Sequence, residues 1–320
     1  MTEVEGTLDF YLQQGTALRL LYEKAEPNLI FTQFVDPVPE DDDSFIYAYD
    51  DAGMGGDAKK KQPAHVQIGG DFPEVDFSRG KVTPGMLDSR GFQVRIKHSI
   101  IRKEPKGISE VQKAYKFAGY WIADYINTTI ATAITAGATT PTWTPTSVWS
   151  TTATATPMMD LVKFKNAIKT DGYEYRVTDM FAHGTSLNEL EEFLLGSDNP
   201  AYRDAVTGRT GDTDSLVLPM PGRPIFHGCP AGITDGYLLG LDKNNPCAEY
   251  HYYVDPQFGT KDVQYNTVID GKKQMVTAQN LGIHYDTWVE KGSEDTLLKF
   301  WVEGKPVVTK ALAAIYDSGI

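Results

Sequence analysis

The sequence predicts an α+β fold organised around one long helix, and three observations predict it. Between Ile108 and about Ala136, apolar residues recur three and four apart, the period of an amphipathic helix. Ahead of that stripe lies a long glycine-bearing excursion, and beyond Leu216 the chain breaks into short apolar runs separated by turn residues, the mark of strands.

Residues 1–40 open with a short amphipathic segment, Leu8, Leu12, Leu18 and Leu21 among polar neighbours. Proline fixes its own φ and disfavours helix in the residue before it, so Asp36-Pro37-Val38-Pro39 reads as an extended strap that completes an N-terminal arm. The run Glu40-Asp41-Asp42-Asp43 is a solvated turn. After it Phe45, Tyr47 and Tyr49 alternate with Ile46 and Ala48, as an aromatic-rich strand does. Gly53, Gly55, Gly56, Gly69 and Gly70, with Lys59, Lys60 and Lys61 between them, mark an exposed excursion from Asp50 to Gly70. The return runs through Glu74 to Phe77 and then Gly91 to Ile100, whose apolar residues fall at every second position, so residues 41–100 are expected to form a long two-stranded loop.

The helical stripe is Val111, Tyr115, Ala118, Ile122, Tyr125, Thr129 and Ala133, and Tyr115, Ile122 and Ile130 are the side chains expected in the core. Gly107 precedes it, Ser109 with Glu110 offers a polar start, and Gly137 followed by Pro141 ends it. Such a helix is about 43 Å long and acts as a strut. Residues 138–156, rich in Thr, Ala and Pro, mark a crossing to a second region. There the pattern predicts a helix from Met158 to Ile168, a strand from Tyr175 to His183, and a helix from Leu187 to Leu195 capped by Ser186, with Glu189 at the capping-box spacing. A loop from Gly196 to Asp214 follows, then strands at Arg223–Phe226, Gly236–Asp242, Glu249–Val254, Gln274–Asp286, Lys299–Val302 and Val307–Ile315.

The 320 residues are 41% hydrophobic and 11% aromatic, ample for a packed core. A formal net charge of -13 opposes tight phosphate binding by the surface as a whole. Cys229 and Cys247 are too few for a disulfide framework, so reduced thiols are expected. Acidic Glu3, Glu5 and Asp9 stand where a secretory signal carries basic residues, and Asp124 and Asn127 interrupt the least polar stretch, so a soluble chain with no membrane association is expected.

Chemistry-bearing patterns are weak. Gly53-x-Gly55-Gly56 lacks the spacing and the strand-to-helix frame of a dinucleotide site, and no phosphate-loop motif occurs. His227-x-Cys229 and Asp212-x-Asp214 lack a second ligand pair. His183-Gly184-Thr185-Ser186 holds a base and a nucleophile type, but a capped helix start accounts for Ser186. Paired carboxylates such as Glu191 and Glu192 point in different directions on a helix. Lys59, Lys60 and Lys61 read equally as a contact tip or a solvated loop. No catalytic residue, cofactor site or metal site is expected.

The order of elements resembles that of the major capsid proteins of tailed phages and related archaeal viruses, the Hong Kong 97-like fold. The matching pieces are Arg90 to Lys97 leading into Val111 to Ile134, Met158 to Glu192, Gly222-Arg223-Pro224-Ile225 with Gly236 to Asp242, and the closing Lys299 to Val302 with Ala311 to Ile315. The resemblance implies an N-terminal arm (1–40), an extended β loop (41–100), a peripheral domain with the spine helix (101–140), an axial domain (141–265) and a return to the peripheral domain (266–320). It implies a non-enzymatic virion protein, synthesised in the host cytoplasm, that self-assembles into capsomers and an icosahedral shell around double-stranded DNA held without sequence-specific contacts. Further implied partners are a portal, a decoration protein and a separate scaffolding protein, because a helix starting near Ile108 leaves no room for a fused scaffold. Some relatives join a loop lysine to an asparagine of another subunit; Lys59, Lys60 and Lys61 sit where such a lysine would, but no partner stands out and no cross-link is expected.

Ordering an excursion and a strap costs about 1–2 kcal/mol per residue, and neighbouring subunits can offset it, so removing residues 1–36 is expected to leave soluble capsomers that fail to close. Two other readings stay open: an encapsulin-like nanocompartment shell, and a β-rich carbohydrate-binding protein or hydrolase using Trp143, Trp149, Tyr250, Tyr252 and Tyr253.

Overall fold

The computed structural model of the chain describes residues 11–48, 82–138, 145, 148–150, 155–168, 175–207, 215–228, 232–269 and 272–320. Helix α1 (Gln14–Ala25) buries Ala17, Leu18, Leu21, Tyr22 and Ala25, one stripe at helical spacing. Two 3-10 turns, Glu26–Asn28 and Phe31–Phe34, lead to strand β1 (Val35–Glu40). Strands β2 (Ser44–Ala48) and β3 (Val82–Met86) form an antiparallel hairpin, and β4 (Asp88–Ile96) is followed by the single-turn helix α2 (His98–Ile101) and the long helix α3 (Glu104–Gly137).

Helix α3 spans 34 residues, about 51 Å. It starts a turn earlier than the sequence reading placed it. Pro105 sits in the first turn, where its missing N–H costs nothing, and Gly107 lies inside the helix rather than ahead of it. A side chain at Gly107 would come within 3.2 Å of the Ile101 backbone, so glycine lets α2 fold back on the first turn of α3. Val111, Tyr115, Ala118 and Ile122 are buried, but the stripe then continues through Ile126, Ile130 and Ile134. Tyr125, Thr129 and Ala133 lie half-buried on its flank. Each four-residue step turns the stripe by about 40°, winding it around the helix to follow a twisted sheet.

That sheet is organised by a strand near the C-terminus. In order come helix α4 (Pro157–Ala167), β5 (Asp179–Ala182), helices α5 (Gly184–Gly196) and α6 (Pro200–Thr207), β6 (Ser215–Val217), β7 (Ile225–Gly228) and β8 (Tyr237–Leu241). Strands β9 (Ala248–Tyr253), β10 (Asp262–Ile269), β11 (Lys272–Gln279), β12 (Ile283–Val289), β13 (Thr296–Val308) and β14 (Ala314–Ser318) complete the chain. The first half of β13 pairs antiparallel with both β4 and β12, and its second half pairs with β9, which in turn carries β1 in parallel. Its inner face, Leu298, Phe300 and Val302, shares one core with Tyr115, Ile122 and Ile126 of α3. Tyr115 donates a 2.5 Å hydrogen bond to the Tyr11 carbonyl and stands edge-on to Phe300.

The second sheet runs β14-β8-β5-β7-β6 and packs against α4 and α5 through Leu161, Phe164, Leu187 and Leu190. Within β5, Met180 and Ala182 face that core, whereas Phe181 turns the other way to meet Phe31 at 4.8 Å and Phe34 at 5.2 Å. Alternation along one strand thus joins the two cores.

Several expected boundaries shift. The cap of α5 is His183, whose Nδ1 accepts from the Thr185 N–H, while Ser186 is buried inside the first turn. Residues 200–207, expected as loop, are helical because Asn199 caps them through its Oδ1 and Pro200 suits the first turn. The single strand expected over Gln274–Asp286 is two, β11 and β12, separated by Leu281 and Gly282, both at positive φ. β10 was not foreseen; it pairs with β11, so a division at residue 265 falls inside a hairpin, and β9 shares its sheet with β13.

The largest correction concerns the arm. Residues 11–40 do not reach away from the subunit but fold into its own core. Gly119 of α3 lets α1 approach so closely that a side chain there would lie 2.6 Å from Lys24 Cβ. Buried Asn127 accepts from the N–H groups of Ile30 at 3.0 Å and Phe31 at 3.2 Å and donates to the Asn28 carbonyl, locking the turn after α1 to the long helix. Tyr22 hydroxyl donates to the Gln279 carbonyl. Pro37 and Pro39 do lie in extended chain, as β1 at the sheet edge. Alternate residues of a strand direct their N–H groups to opposite sides, so two prolines spaced by two can both turn their missing donors outward.

Candidate assembly surface

The outer face of the first sheet carries His251, His284, Trp301, Glu303 and Lys305, alternating with the residues that face α3. His284 is fully buried and stacks on Trp301 with ring centroids 5.0 Å apart. Its Nε2 lies 3.1 Å from the Tyr253 carbonyl, and burial holds its pKa below the usual histidine range despite Glu303 nearby. Glu303 accepts from Trp301 Nε1 at 3.0 Å.

The base of the hairpin sits on this face. The Phe45 ring stacks on the His251 imidazole at 4.1 Å and covers Gly85, where any side chain would collide with it. His251 Nδ1 meets Glu40 at 2.5 Å, and Glu249 lies 3.3 Å from Nε2. While Phe45 points inward, Ile46 and Met86 on the other face are 71% and 69% exposed. An isolated two-stranded ribbon with an apolar outer face is marginal in water.

A second exposed strip runs along the first half of α3. Lys106, Lys113, Phe117 and Tyr120 share its outward face, with Phe117 60% exposed. Lys103 and Lys106 stand at the positive end of the helix dipole, where cations are disfavoured and, by sequence, only Glu104 of the same turn has the favourable sign.

Among the described residues, no constellation of reacting groups accompanies these surfaces. His227 Nε2 bonds Asp179 Oδ1 at 2.9 Å beneath Phe181, a satisfied structural pair. Burial pushes the Cys247 thiol up to about 12, far from a reactive thiolate. Among the described residues, no group of three or more His, Cys, Asp or Glu stands where it could hold a metal ion, and no helix is long and apolar enough to cross a membrane. A cleft of about 360 Å³ between α4, α5 and α6 is lined mainly by apolar side chains such as Met158, Met159, Phe193 and Met220. Trp149, Tyr250 and Tyr252 are buried, so they offer no platform for a sugar ring. Cys229, Asp212, Asp214, Trp143, Gly53, Gly55, Gly56 and Lys59, Lys60 and Lys61 lie outside the described residues. Tyr115, Ile122 and Ile130 are fully or almost fully buried against the first sheet and α1. Asn127 was legible only as a polar interruption of an apolar stretch, and its spacing gave no sign of the turn it holds.

No protein-family model matches the sequence, and no curated protein does. Solved structures are similar. A virus-like particle from Pyrococcus furiosus superposes with a TM-score of 0.53 at 9% identity, covering 93% of this chain and 96% of that one. The capsid of cyanophage P-SCSP1u gives 0.52 at 9% identity over 91% and 88% of the two chains. A phage-related protein from Bordetella bronchiseptica RB50 gives 0.51 at 9% identity over 94% of each. The likeness is one of fold: an α+β chain of the Hong Kong 97-like capsid type.

Proposed function

We propose that this chain, sharing the Hong Kong 97-like capsid fold over nearly its whole length, is a shell subunit: a viral major capsid protein that self-assembles into capsomers and an icosahedral shell around double-stranded DNA. The observation that carries the reading is coextension. The likeness to the virus-like particle spans 93% of this chain and 96% of that one, so whole subunits correspond rather than a shared piece. The exposed apolar faces of the hairpin and of α3 support it, because contact with further copies would cover them. In this reading copies of the chain are the main partners, assisted by a separate scaffolding protein, a portal and a decoration protein, and the shell is part of the virion. The axial domain shapes the capsomer, and the excursion beyond β2, with Lys59, Lys60 and Lys61, contacts a neighbouring copy.

Expression of the chain, followed by sedimentation and electron microscopy, tests this. Closed particles of uniform size are expected, and a monomer that persists at every concentration up to its solubility limit overturns the reading. The contents separate two kinds of shell: genomic DNA marks a capsid, and an enclosed enzyme marks an encapsulin-like compartment.

A further inference from the structure

Charge is segregated along this chain. Residues 90–116 hold eight Lys and Arg against two Glu, a net of +6 in a chain of net -13, so all other residues together carry -19. Part of the positive charge is used internally: Arg90 pairs with Asp88 at 3.3 Å, Arg95 with Glu290 at 2.8 Å and Lys113 with Glu110 at 2.7 Å. Lys97, Arg102, Lys103, Lys106 and Lys116 are exposed, and among the described residues none of them has a carboxylate partner. Lys116 lies 5.9 Å over the Tyr120 ring instead. Lys116 therefore borders the apolar spot made by Phe117 and Tyr120, and Lys106 and Lys103 lie about three and four turns toward the start of the same helix.

The second region carries the opposite pattern. On the exposed side of α5, Glu192 stands with Leu195, which is 47% exposed, and Glu189 lies near Asp235 of the loop before β8. Glu189 titrates above the usual carboxylate range, first through partial burial and then through repulsion from Asp235 and Glu192, and Asp235 itself lies 3.7 Å from His183 Nδ1. Each strip thus has an apolar centre and, among the described residues, an excess of one sign of charge that no Lys, Arg, Asp or Glu of the opposite sign balances.

We propose that the outward face of the first half of α3 in one copy docks on the outward face of α5 in a second copy, with Lys103, Lys106 and Lys116 facing Glu189, Glu192 and Asp235 and Phe117 seated against Leu195. The inference rests on the shell reading and names the surfaces it would use. Both halves belong to every copy, so the contact is head-to-tail and can propagate into a ring or lattice. It also answers a difficulty of acidic chains, whose like charges oppose close assembly. An acidic partner is favoured over nucleic acid because the complementary strip exists in the same chain and is itself unbalanced.

Charge exchange tests it. One variant carries Lys103→Glu, Lys106→Glu and Lys116→Glu; another carries Glu189→Lys, Glu192→Lys and Asp235→Lys; a third carries all six. The first two are expected to lose assembled particles at least tenfold by sedimentation, with circular dichroism unchanged and Tm not lowered, and the third to recover them. Raising NaCl from 0.1 to 1 M should weaken wild-type assembly at least as much, since screening shortens the reach of charge to about 3 Å. Acids near the start of α3 favour the helix, so lost assembly in the first variant cannot be blamed on a frayed helix. Wild-type yields in either single set, or no recovery in the third with both single sets natively folded, overturns the inference alone. Particles of the first variant that form normally but lack nucleic acid make the strip a genome contact and equally overturn it. A wild-type chain that stays monomeric refutes the shell reading together with this one.

Discussion

Residues 14–40 and the hairpin of β2 and β3 are joined by only Asp41, Asp42 and Asp43, yet they stand in opposite relations to the subunit. The first buries a full helical stripe, is held by Asn127 and ends as a strand of the main sheet. The second lays Phe45 and Tyr47 beside His251 and leaves Ile46 and Met86 in water. Both read from the sequence as chain lying outside the core, and only one has been drawn into it. The difference separates segments that stabilise a subunit from segments whose apolar surface awaits something outside it.

The sharpest way to break this contrast is to delete residues 1–36. The loss of α1 exposes its groove on α3, and the protein should lose cooperative folding outright. A soluble deletion variant with native circular dichroism would return the arm to the role of an external strap. Next in size, Asn127→Ala leaves the N–H groups of Ile30 and Phe31 without their acceptor, at a cost of about 2–4 kcal/mol, read from a urea unfolding midpoint. An effect below 0.5 kcal/mol, within the usual range for surface changes, would mean the turn after α1 holds itself.

A pH effect should come from the platform beneath the hairpin. His284 has its pKa lowered mainly by burial. The unfolded chain therefore takes up this proton as pH falls through about 6.5, while the folded chain resists it. Stability that is complete above that pH is lost as pH falls below it. Unfolding midpoints at pH 7.5 and 5.0 should differ less in His284→Gln than in the wild type, and an equal difference assigns the acid sensitivity to other groups. The smallest effect on stability belongs to the hairpin surface. Ile46→Lys with Met86→Lys should change the subunit's stability by no more than about 0.5 kcal/mol, yet lower the yield of particles.

Much of the fold was legible because its signals are local. The 3.6-residue period announced α3, and short apolar runs between turn residues announced β8 and β9. What misled were signals whose meaning depends on distant chain. Leu18, Leu21, Tyr22 and Ala25 have correct helical spacing, but only the cleft beside Gly119 decides that they fold inward. Pro37 and Pro39 truthfully mark extended backbone, and nothing local says whether such backbone pairs with its own sheet. At α5 a capping-box pattern pointed to Ser186, whereas His183 three residues earlier supplied the acceptor. The exposed hairpin face was hidden for a related reason: alternation reveals that a strand has two faces and not which one the core takes.

The two prolines of β1 have one more consequence, which concerns crowding before assembly. A shell subunit of the kind proposed must accumulate to high concentration before it assembles, and an open strand edge under those conditions seeds cross-β aggregation. Pro37 and Pro39 deny that edge the donors an incoming strand requires. On the proposed shell reading, copies then meet through side chains, by contacts that can be broken and remade, so that an assembling lattice corrects misplaced members before it closes.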